Sequence, residues 1–152
     1  GTTLIEQGTY IVGIAAAIPS GSPVTNNALL NLNGFSITML SLAGTDTTAE
    51  VRSNVAGAVT ITFNRASGDL TYSGRILNGS GVVSVIKNGA YTQRLGGTNT
   101  YTGTTAINAG VLKAVSPTAI SSASAFTIGN TAGATLDIQG FSNSIGSLAG
   151  GG

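Results

Sequence analysis

The sequence predicts an all-β chain folded as a parallel β-helix, or β-solenoid, of short coils with Gly and Asn at the turns. Three observations carry that prediction. Short segments of alternating apolar and polar residues recur, with a turn residue about every ten positions. No segment combines helical periodicity with end caps. A stretch from the start of the chain returns in the last third with its order kept, which marks a repeat architecture.

The elements follow from Gly, Asn and Pro used as punctuation. Thr9–Ile14 is a first strand, and the apolar run that continues it is broken by Gly13 and closed by Pro19. Ala28–Leu32 and Ser36–Leu42 flank Asn33-Gly34, and Val51–Ser53 lies in the polar stretch after Gly44. Val59-Thr-Ile-Thr-Phe63 alternates cleanly, as a half-buried strand does. Asp69–Tyr72, Gly81–Ile86 and Tyr91–Leu95 follow, the last two on either side of Asn88-Gly89. Thr104–Asn108 and Val111–Ala114 flank Gly110, with Tyr101, Ile107 and Leu112 as inward residues. Ala125–Ile128 and Ala134–Ile138 complete the set, and alternation turns Asp137 outward. The Asn-Gly pairs at 33, 78 and 88 fit left-handed turn positions between strands of one coil. Read as hairpin turns they would give a sandwich, the competing topology. The Gly-rich stretches Arg94–Gly97 and Gly146–Gly152 read as turns, since neither continues into the Lys-Ser/Thr of a phosphate loop.

The repeat is specific. Gly1, Thr2, Thr3, Ile5 and Gly8 return as Gly103, Thr104, Thr105, Ile107 and Gly110. Gly-Phe-Ser and Ser-Leu-Ala-Gly occur unchanged at both 34–36 and 41–44 and at 140–142 and 147–150. The offset grows from 102 to 106, so residues 1–102 form one unit and 103–152 begin a second, within a single solenoid domain. At roughly 20–25 residues per coil the chain makes six or seven coils, a rod near 30 Å long.

Composition narrows the function classes. Hydrophobic residues reach 41% while charged residues are only 7%, so the chain folds rather than staying disordered. Its net charge of +1 comes from scattered Lys and Arg, without the basic stripe of a nucleic-acid binder. No run of about 18 apolar residues suggests a membrane-spanning helix. With no His and no Cys, the common zinc ligands and the usual base of a nucleophilic triad are missing. No cofactor is expected. Asp46 and Glu50 are the one close acidic pair, in a polar loop that reads as solvated surface.

Gly79–Ala114 resembles the autotransporter-associated β-strand repeat, also called the passenger-associated transport repeat. The matching positions include Lys87, Gly89, Leu95, Gly97, Asn99, Tyr101, Gly103, Thr105, Ile107, Gly110 and Leu112. Val83–Ile86 and Ala90–Arg94 depart from the family pattern and read as local decoration. The resemblance implies a right-handed parallel β-helix in the passenger region of a secreted or outer-membrane-anchored protein. It implies no catalytic residues, and the eleven positions above are structural.

The expected function is therefore that of a non-catalytic extracellular segment, structural or adhesive, of an autotransporter-like surface protein. One alternative is a fibre subunit whose coils stack head to tail on a second copy or on neighbouring solenoid repeats. Another is a polysaccharide-active β-helix enzyme that would need Asp46, Glu50 or Asp69 to meet a second acid or an Arg in a groove. Host surfaces and glycans are further candidate partners, and Tyr10, Tyr72, Tyr91 and Tyr101 could stack on sugars if they were exposed.

Overall fold

The structure is a computed structural model and describes residues 1–150. It winds through seven coils, each visiting three faces in the same order, and every strand pair in it is parallel. Coil one carries β1 (Thr3–Ile5) and β2 (Thr9–Ile11). Coil two carries β3 (Pro23–Asn26), β4 (Leu29–Asn31) and β5 (Ile37–Met39), and coil three carries β6 (Ser41–Ala43), β7 (Glu50–Arg52) and β8 (Gly57–Asn64). Coil four carries β9 (Asp69–Tyr72), β10 (Arg75–Ile76) and β11 (Gly81–Asn88). Coil five has β12 (Thr92–Leu95) and β13 (Thr105–Ile107), and coil six β14 (Val111–Ala114) and β15 (Ala125–Ile128). Coil seven has β16 (Thr135–Asp137) and β17 (Ser147–Gly150).

The third face is one continuous six-stranded sheet, β5-β8-β11-β13-β15-β17. The first face is two sheets, β1-β3-β6 and β9-β12-β14-β16, whose backbones are bridged between Gly44 and Tyr72. The second face is the four-stranded sheet β2-β4-β7-β10. Beyond β10 its place is taken by extended chain without ladder pairing. With neighbouring coils about 4.8 Å apart, seven coils make a rod about 30 Å long.

Parallel pairing excludes the hairpin reading of the Asn-Gly pairs. Asn33 and Gly34 do adopt the left-handed conformation (φ 53° and 84°), and so does Gly89 (φ 70°). Asn78-Gly79 does not. Its Asn works through its side chain, whose oxygen accepts from Val83 N at 3.0 Å.

Three further readings are corrected. Ser36–Leu42 is two strands, because the chain turns a corner between Met39 and Ser41 from the third face to the first. Ser147–Gly150 is a strand paired with β15 rather than a turn, while Gly151 and Gly152 lie outside the described residues. Arg94 and Leu95 belong to β12, and the turn begins only at Gly96. Four short strands were not among those read from the sequence: β1, β3, β10 and β17.

The repeated segments share backbone geometry. β1, β2 and β3 correspond in sequence to β13, β14 and β15, and β4 and β6 to β16 and β17. The left-handed pair Asn33-Gly34 returns as Gln139-Gly140 (φ 49° and 77°), and Gly8 (φ 74°) as Gly110 (φ 66°). Yet β1 lies on the first face and β13 on the third. One repeat therefore advances four coils and two faces, so equivalent residues in the two copies point in directions one face apart.

The core is a set of stacked inward columns. On the third face Ile37, Ile61, Val85, Thr105 and Phe126 lie one above another, beside Met39, Phe63, Lys87 and Ile107. Val83, Val85, Tyr91 and Gln93 are all buried, so the stretches that depart from the family pattern are core rather than decoration. Tyr72, Tyr91 and Tyr101 are buried as well, which removes them as sugar-stacking rings.

The first face holds the fold's largest irregularity. Val24 pairs with Leu42, but Gly44 with Tyr72, so an 18-residue coil is followed by one of 28. β6 and β9 cannot ladder across that mismatch, and Gln93 fills the gap from two coils away. Its side-chain oxygen accepts from Leu42 N at 3.2 Å and its nitrogen donates to Leu42 O at 2.8 Å. The same oxygen accepts from the Tyr91 hydroxyl at 3.0 Å.

Burial fixes a pH dependence. It pushes the Tyr101 hydroxyl up to about 12, and Tyr72 and Tyr91 further up, from an ordinary 10.0. An acid whose pKa is raised by folding loses its contribution above its unfolded value. Urea midpoints measured from pH 7 to 12 should fall steeply above pH 10, with tyrosinate absorbance of the three buried rings appearing only on unfolding.

Candidate functional site

The eleven motif residues cluster on coils four to six, and the structure shows what each one touches. Lys87 enters the core at the end of β11 and is fully buried. Its ammonium donates to three backbone carbonyls, Gly89 O at 2.7 Å and Asn88 O and Ala109 O at 3.0 Å each. The Tyr91 ring lies 4.1 Å away, close enough for a cation–π contact. Gly89 and Gly110 make the adjoining corners of two coils, both with positive φ. A Cβ on Gly89 would run into the Arg65 carbonyl, and one on Gly110 into the Gly89 carbonyl. The Lys-x-Gly spacing is thus a corner: glycines let the coils touch, and the lysine satisfies the carbonyls turned inward.

Asn99 plays a parallel part on the second face, just past the end of the β10 ladder. Its side-chain oxygen accepts from Ile76 N, one coil back, at 2.6 Å, and its nitrogen donates to Ala119 O, one coil on, at 2.6 Å. Gly97 and Gly103 sit so close to the preceding coil that a Cβ would meet the Gly74 and Val83 carbonyls. The Tyr101 hydroxyl shares a buried chain with Thr105 Oγ1 at 2.8 Å, Ser124 Oγ 2.9 Å beyond it, and the Gly103 carbonyl 2.7 Å further. Leu95, Ile107 and Leu112 fill inward columns. Ser121 and Ser124 belong to this network, and Gln93 to a separate one with Tyr91 and Leu42. Alternation places Gln93 inward, yet nothing local marks Leu42, 51 residues away, as its partner.

The carboxylates do not converge. Glu50 binds Arg75 at 2.6 Å and Arg52 at 3.1 Å, Asp69 pairs with Arg94, and Asp137 with Lys113 at 2.9 Å. Asp46 is held below the usual carboxylate range by bonds from the Thr48 hydroxyl and backbone, both at 2.7 Å. Among the described residues no three acids gather as metal ligands. These ion pairs lie on the first and second faces. The outward positions of β8 and β11 on the third face, such as Thr60, Thr62, Ser84 and Ile86, are uncharged.

Where the second-face ladder lapses, a groove of about 210 Å³ opens across coils five to seven. Its walls carry hydroxyls from Thr98, Thr100, Thr118, Ser122, Ser142 and Ser144, with Pro117 and Ile120 as apolar lining. Thr98 Oγ1 and Thr118 Oγ1 lie 3.1 Å apart on successive coils.

Parallel coils, stacked inward columns and corner-forming motif residues define a β-solenoid repeat protein. Residues 85–114 match the family described as Passenger-associated-transport-repeat, so the chain carries an autotransporter passenger repeat. Across 99% of its length the chain is also 35% identical to the Adhesin BmaC autotransporter of Brucella suis biovar 1 (strain 1330). It spans 4% of that relative's length. No solved structure matches the chain.

The corner geometry sets an expectation for stability. Gly89→Ala adds left-handed strain to a backbone clash and should cost about 2–5 kcal/mol. Gly133→Ala has the same sign of φ and nothing within 4 Å, so it should cost only about 1–2 kcal/mol. Urea unfolding of both variants checks the difference.

Proposed function

We propose that this chain is a non-catalytic, stiff segment of an autotransporter-like passenger, secreted or displayed at the cell surface, with an adhesive role. The supporting observation is the passenger repeat built into the middle of an unbroken six-stranded parallel ladder. A sheet whose hydrogen bonds run along the rod resists bending and presents side chains at fixed spacing. The relative's description as an adhesin supports the adhesive part. The second-face groove is the adhesive contact. It is neutral and hydroxyl-lined, and it suits a neutral glycan ring held by hydroxyl–hydroxyl bonds.

A neutral-glycan array probed with the purified chain and with Thr118→Arg tests the adhesive role. Thr118 is exposed, so the larger side chain fills the groove without entering the core. Saturable binding that the variant abolishes is expected. Equal binding by both proteins, or none by either, would remove the groove as the adhesive contact.

A further inference from the structure

The corner around Lys87 has the form of an ion site. Three carbonyl oxygens converge on one point at 2.7–3.0 Å, and an aromatic face closes the fourth side at 4.1 Å. The oxygens come from two successive coils, Asn88 and Gly89 from one and Ala109 from the next. Among the described residues the Gly89 and Ala109 carbonyls receive no backbone N–H. No acidic side chain contributes to the bonding around the ammonium.

We propose that this corner is a binding cage for an ammonium-sized monovalent cation, which Lys87 supplies from its own chain. Three features select that class. The oxygens stand too far from the centre for Mg²⁺, at about 2.0–2.1 Å, or Ca²⁺, at about 2.3–2.6 Å. All three are uncharged carbonyls, the donor type that replaces the hydration shell of K⁺ in selective filters. The remaining side is the Tyr91 ring, which attracts a cation without donating an oxygen. The neighbouring inward positions in this column are Phe63 and Ile107, so the cage belongs to this one corner.

The cation fastens two coils where the ladder leaves their carbonyls without donors. Lys87 keeps it at full occupancy whatever the surrounding salt, since the ion is tethered. It also reserves the cavity against water, which would bring two protons to three acceptors.

Chemical rescue tests the cage. Thermal midpoints of the wild-type chain and of Lys87→Ala would be measured at pH 7, at equal ionic strength, in ammonium, potassium or tetramethylammonium chloride. The wild type should give the same midpoint in all three. Lys87→Ala should melt about 2–8 °C lower in tetramethylammonium and regain much of that loss in ammonium and potassium. Lys87→Met, which refills the stem but ends one atom short of the ammonium position, should lose less in tetramethylammonium than Lys87→Ala and gain less from ammonium and potassium. A Lys87→Ala midpoint equal to wild type in tetramethylammonium would overturn the clamp. A midpoint equally low in every salt, including failure to fold in all of them, would overturn the cage.

Discussion

In a stacked solenoid every backbone N–H and C=O needs a partner one coil above or below, and the whole structure depends on meeting that demand where coils differ in length. Regular ladders meet it along the third face, where registers step evenly through β8 and β11. They fail where an 18-residue coil meets one of 28, and on the second face beyond β10. A buried peptide group left without a partner costs about 1–3 kcal/mol. Several such groups would exhaust the stability of a chain this size.

Inward amide side chains answer most of these failures, because a carboxamide carries the same donor and acceptor as a peptide group. Gln93 stands in for the strand that Leu42 lacks. Asn99 ties Ile76 below to Ala119 above. Asn26, fully buried, donates to Glu50 O and to the Tyr72 hydroxyl, both at 3.0 Å, and accepts from Ala28 N. Asn31 accepts from Asn33 N and Asn54 N, and Asn143 from Ile120 N. Lys87 does for a pair of corners what these amides do for strands. The small, nearly charge-free composition follows from this, since amides satisfy buried backbone at far lower desolvation cost than ions.

The regular parts of the fold were legible because alternation and turn residues are local signals. Val59–Phe63 and Val111–Ala114 are strands as read, and Tyr101, Ile107 and Leu112 point inward. β3 opens on a proline and β10 is two residues long, so neither has a pattern to read. The corner inside Ser36–Leu42 has no Gly or Pro to mark it. The repeat was visible in sequence, but its advance by four and two-thirds coils was not, because that depends on summed coil lengths. The motif told where Lys87 and Asn99 are. Of their partners, Ile76, Ala109 and Ala119 lie 20 to 23 residues away on other coils, and only the winding brings them together.

Native-state hydrogen exchange at the Leu42 amide tests the central claim most directly, since that N–H has the Gln93 side chain as its acceptor. If side-chain amides replace the missing ladder, Leu42 exchanges in the wild type as slowly as the ladder amides of β3, and Gln93→Leu accelerates it while leaving β13 and β15 protected. Rapid exchange of Leu42 in the wild type, or a rate unchanged by Gln93→Leu, would contradict the account.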